Sequence, residues 1–101
     1  MHSDLQNLAS HLETTARRLG EEPARIDLRR ELLVDAQAMS DMAVAGSLPL
    51  FLRSLAKEAA GLALRVAHAV EAPGAPDLAA TVADLAGALQ ELRRAVADGR
   101  A

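Results

Sequence analysis

His68 is the residue whose type and setting suit chemistry best: a lone histidine late in a long apolar stretch, on the side opposite that stretch's core-facing residues. Glu71 follows one helical turn later and can face the same way, as two metal ligands would. Two ligands do not make a site. Carboxylate-bridged di-iron bundles need a Glu-x-x-His pair on each of two helices and a further glutamate from each of the other two. No Glu-x-x-His occurs in this sequence, and His11 has no acidic residue one turn before it. Neither a metal nor a cofactor is expected. Without cysteine there is no thiolate zinc site, iron–sulfur cluster, disulfide or thiol nucleophile. Ser40, Ser54 and Thr15 fall inside helical patterns without a histidine and carboxylate beside them, and no glycine-rich loop follows a strand. The chain does not read as an enzyme.

A solvent-facing histidine on a bundle helix resembles the arrangement in histidine phosphotransfer domains, which implies a phosphorelay role with His68 as phosphoacceptor. Those domains place a lysine three residues and a glycine four residues after the histidine. Here Glu71 and Ala72 follow His68. A carboxylate in the lysine's place repels both a phosphoryl group and the acidic partner that delivers it.

The element that positions His68 is the stretch from Ser47 to Glu71, SLPLFLRSLAKEAAGLALRVAHAVE. At 100° per residue, Leu48, Phe51, Leu52, Leu55, Ala59, Leu62, Val66, Ala69 and Val70 form one stripe, the face expected to meet the core. The opposite side carries Leu50, Ala60, Gly61, Leu64 and Ala67, interrupted by Arg53, Lys57, His68 and Glu71. A helix apolar nearly all round is buried on both sides or covers its second face with another chain. Ser47 suits an N-cap, with Pro49 in the first turn.

Three more helices are expected around it. The first runs from about Asp4 to Leu19, with Leu5, Leu8, Leu12, Thr15 or Ala16, and Leu19 inward, Glu13 and Arg17 to solvent, and Gly20 as terminator. The second starts at Pro23 or, with Asp27 as N-cap, slightly later, and stops near Ala45 before Gly46. Its inward face is Leu28, Leu32, Ala36, Met39 and Ala43, widened by Leu33 and Ser40, while Val34 points away. A link of about two residues makes helices two and three antiparallel neighbours. After the break at Pro73, Gly74 and Pro76, helix four carries Leu78, Val82, Leu85, Leu89, Leu92 and Val96 at spacings of four and three, a packing seam. Gly61 and Gly87 mark close helix–helix approach. Helix three at ~36 Å and helix one at ~24 Å would leave an overhang. The fold class is all-α: residues 1–101 as one small antiparallel up-down-up-down four-helix bundle.

Composition agrees. The chain holds 23 alanines and 17 leucines among 101 residues, both strong helix formers. A formal net charge of −3, with one phenylalanine and no tryptophan or tyrosine, argues against nucleic-acid binding. The paired arginines at 17/18, 29/30 and 93/94 are interleaved with glutamates and read as solvated faces. The N-terminal segment lacks a signal peptide's basic and apolar regions, and no run reaches the ~18 apolar residues of a membrane span; a cytoplasmic location is expected. The leading expectation is a protein-interaction module that self-associates as a homodimer through the back of helix three, using Leu50, Ala60, Gly61, Leu64 and Ala67, with Val34 beside them. A bundle binding a small apolar ligand is the other alternative to phosphotransfer.

Overall fold

The computed structural model describes residues 3–45, 48–71 and 78–98. Four helices account for nearly all of them: α1 (Ser3–Glu21), α2 (Ile26–Val44), α3 (Leu50–Glu71) and α4 (Leu78–Ala97). Each packs on its neighbours in a closed ring, α1 on α2, α2 on α3, α3 on α4 and α4 back on α1, while the α1–α3 diagonal barely touches. Cross-links show α2 antiparallel to α3 and α1 antiparallel to α4, where Gly20 also lies against Val82. Arg29 near the start of α2 meets Glu71 at the end of α3, and Glu13 of α1 meets Arg93 late in α4. The molecule is an up-down-up-down four-helix bundle measuring 40 × 20 × 17 Å.

The core follows the leucine and alanine spacing. Leu5, Leu12, Ala16 and Leu19 line α1, and Leu28, Leu32, Ala36, Met39 and Ala43 line α2, the inward face expected of it. Helix α4 contributes Leu85, Leu89 and Leu92, with Leu78, Val82 and Val96 packed at the margin. On α3 the buried face is rotated from its expected position. Leu52, Leu55, Ala59 and Val66 are buried, but so are Ala56, Ala60, Ala63 and Ala67, whereas Phe51 is exposed. Large side chains dominate any hydropathy average, yet α2 docks on the alanines, whose small side chains let two helix axes approach. The face that looked like the second, uncovered side of α3 is in part its contact with α2.

Several expected boundaries move. The second helix becomes regular at Ile26, so Asp27 lies in its first turn and is not the N-cap; Arg25 holds that position without a side-chain cap. Asp27 is engaged by Arg25, whose Nε and Nη2 donate to its two carboxylate oxygens at 2.9 and 2.7 Å. Pro23 sits in the preceding turn, which the Arg25 N–H closes by donating to the Glu22 carbonyl at 3.0 Å. Gly20 does not terminate α1, which continues to Glu21. Gly20 lies against α4, where an added Cβ would make ordinary van der Waals contact with Val82 at 3.4 Å. Gly61 and Gly87, by contrast, face open space with nothing within 4 Å, so neither marks close approach. The helices span 19, 19, 22 and 20 residues, about 28 to 33 Å each, and α3 has no substantial overhang. The expected break at Gly46 and Ser47, the cap from Ser47, and the Pro73–Pro76 break lie outside the described residues. Among the described residues no helix is long and apolar enough to cross a membrane.

Candidate functional site

The outward face of the α2–α3 hairpin is built by two stripes of helical spacing. On α2, Ile26, Arg30, Val34, Gln37, Asp41 and Val44 recur at steps of three and four and are all exposed. On α3, Leu50, Lys57, Gly61, Leu64 and His68 are exposed on the side turned away from the core. A surface groove of about 250 Å³ runs between the two helices, lined by Ala36, Gln37 and Ser40 on one wall and Lys57, Ala60, Gly61 and Leu64 on the other. Gly61 leaves it open because no side chain projects there. Its volume is below the several hundred Å³ of ordinary small-molecule sites, and Lys57 and Gln37 make it mixed in character.

The five residues expected to form the back of helix three divide into two sets. Leu50 is 74 % exposed and Leu64 44 %, with Gly61 exposed between them. Ala60 and Ala67 are 5 % and 1 % exposed and belong to the bundle's own core. They sit at the α2 edge of the buried arc, so no second chain is needed to cover them. Val34 points outward, as its phase on α2 requires.

His68 is exposed near the end of α3. Glu71, one turn on, is engaged by α2: its carboxylate pairs with Arg29 Nη2 at 2.6 Å, while Arg29 Nε donates to the Ala67 carbonyl at 3.3 Å. This pairing ties the start of α2 to the end of α3 and gives Glu71 an arginine partner.

Two polar clusters link helices in ways the linear sequence did not indicate. Glu13 was expected in solvent but is buried, and it accepts from Arg17 at 2.6 Å and from Arg93 of α4 at 3.1 Å. Two guanidinium groups offset the cost of withdrawing its carboxylate from water. The second cluster joins α1 to α2. His11 Nε2 lies 2.7 Å from Glu31 Oε1, and His11 Nδ1 contacts Asp35 Oδ2. The Asp35 side chain is only 14 % exposed, while His11 and Glu31 are half-exposed. The readable signal is Glu31 and Asp35 at i, i+4 on the α1 side of α2, a helix away from His11 in the chain.

At the start of α2, the Arg25 guanidinium holds the Asp27 carboxyl down to about 2, mainly by hydrogen bonding and then by charge, against the opposing effect of desolvation; the Leu28 and Asp27 backbone N–H groups add to the lowering. The same pairing raises Arg25 above its ordinary value.

No family model matches this chain, and no curated protein or solved structure matches it either.

Proposed function

We propose that this bundle is a protein-interaction module that self-associates through the outward face of its α2–α3 hairpin. One observation carries the reading. The large apolar side chains left exposed among the described residues are Ile26, Val34, Val44, Leu50, Phe51 and Leu64; all belong to α2 and α3, and all but Phe51, which lies beside Glu91, Arg94 and Ala95 of α4, stand on the hairpin face. Isolated exposed apolar residues are ordinary on a monomer. Their confinement to one adjacent helix pair is what favours an interface.

A second copy of the same face is the favoured partner. An isologous two-fold contact uses each residue twice, and this face carries both signs of charge, Lys57 and Arg30 with Asp41, so like charges need not oppose across the axis. Full burial of a leucine stabilises by roughly 2 kcal/mol. Leu50 and Leu64 are already part-buried, so the four leucines of a dimer contribute less than about 8 kcal/mol, no more than the middle of the 4 to 15 kcal/mol or so lost as freedom of motion on association. Val34, Val44 and Ile26 are therefore needed to give net affinity. Ala60 and Ala67 contribute only by keeping α2 and α3 close enough to form one surface.

Light scattering tests this directly. The wild-type chain should behave as a dimer at micromolar to millimolar concentration, and Leu64→Glu should remain helical by circular dichroism while shifting to monomer. A wild-type chain that stays monomeric throughout that range would overturn the proposal.

A further inference from the structure

We propose that His11, Glu31 and Asp35 form a site for a divalent transition-metal ion of the zinc class, shared between α1 and α2 on a face of the bundle other than the hairpin surface. The three side chains offer one imidazole nitrogen and two carboxylate oxygens, all within 4.8 Å of one another. Zinc takes such ligands at ~2.0 to 2.2 Å. The two carboxylates meet different nitrogens of the ring, so ion binding requires the half-exposed His11 and Glu31 side chains to turn until one ring nitrogen and both carboxylates face the ion, with Asp35, the most buried of the three, as the fixed member.

Among the described residues, the surrounding surface supplies these two carboxylates with no arginine or lysine. Arg17 and Arg93 pair with Glu13, Arg25 with Glu22 and Asp27, and Arg29 with Glu71. Among the described residues, neither Glu31 nor Asp35 forms an ion pair with any arginine or lysine; each meets His11 alone. A carboxylate accepts hydrogen bonds and donates none, so both contacts of the ring are hydrogen bonds only when both its nitrogens carry protons. With a neutral ring, two carboxylates crowd one another without a positive charge between them. A divalent ion supplies that charge. The nitrogen among the donors selects zinc-class ions over magnesium and calcium, which favour all-oxygen sites. Three protein ligands leave a fourth tetrahedral position for water.

The site cross-links two helices near their midpoints, so the bound ion acts as a structural staple. Protons compete with the ion for the ligand atoms, so binding weakens in acid.

The experiment is a titration of the full, tag-free chain with zinc chloride near pH 7.5, followed by calorimetry and by the histidine ring resonances. One zinc per chain, movement of the His11 resonances, a higher melting temperature with zinc, and no competition from equimolar magnesium are the expected results. His11→Ala and Asp35→Asn, each checked for helicity, should weaken binding by at least about tenfold, whereas His68→Ala and His2→Ala should not. Absence of zinc binding by the folded wild-type chain overturns the proposal, as does binding that survives His11→Ala or is lost in His68→Ala. If lowering pH raises the melting temperature through His11 while zinc has no effect, the cluster is a protonated histidine clamp and the metal site is refuted.

Discussion

At the scale of single residues, the cluster at the start of α2 has a defined acid response. Asp27 titrates near 2 in the folded chain, below the ordinary aspartate value of 3.8, because Arg25 grips both its oxygens. A carboxyl whose folded value is depressed contributes stability above its unfolded value, and that contribution fades as pH falls through the folded one. The melting-temperature difference between wild type and Asp27→Asn should therefore be constant from pH 7 to about 5 and close between pH 4 and 2, as thermal scans across that range would show. Glu13 has a different character, since it is buried and shared by two arginines. Glu13→Ala removes hydrogen bonds to charged groups and should destabilise the bundle by about 1 to 3 kcal/mol, measurable by urea unfolding. Neither role was legible in the sequence. Asp27 resembles an N-cap by type and place, and only the reach of Arg25 decides otherwise. Glu13 has solvent-facing neighbours on its own helix, and its second arginine lies 80 residues away in the chain.

The helices themselves were more readable. On α2 the spacing of Leu28, Leu32, Ala36, Met39 and Ala43 identified the buried face residue by residue, because large apolar side chains recur there among polar ones. On α3 the same reasoning placed the face too far from α2. When alanines occur all round a helix, periodicity cannot distinguish a small residue that is packed from one that is bare, and only the neighbouring helix settles it. The glycines show the same ambiguity. Gly20 lies in ordinary contact range of Val82, whereas Gly61 and Gly87 lie in open space within helices α3 and α4. Alanine is favoured over glycine in a helix interior by about 1 kcal/mol. Gly87→Ala should raise stability by about 0.5 to 1 kcal/mol with no other effect, read by denaturant midpoint. Gly61→Ala should give the same gain in the isolated chain. Because Gly61 lies on the hairpin face, its alanine variant should also weaken self-association, a dissociation that dilution series by light scattering would detect.

For the whole molecule, the bundle was legible from four apolar repeats and the turn-forming residues between them. The interior was less so, since which helices share an ion pair depends on register across the ring. That ring has an unequal assembly order. The α1–α2, α2–α3 and α3–α4 pairings join consecutive segments, while the α4–α1 pairing brings together opposite ends of the chain, through Gly20 with Val82 and Glu13 with Arg93. Closing the longest loop carries the greatest entropy cost, so that seam is expected to form after the rate-limiting barrier and to open early on the way out. Weakening it then shortens the lifetime of the native state while leaving the speed of its formation nearly unchanged. Stopped-flow kinetics of Glu13→Ala should show its instability almost wholly in a faster unfolding limb. The contact between the first helix and the last thus works as a latch: it adds little to how quickly the protein is made and much to how long it lasts.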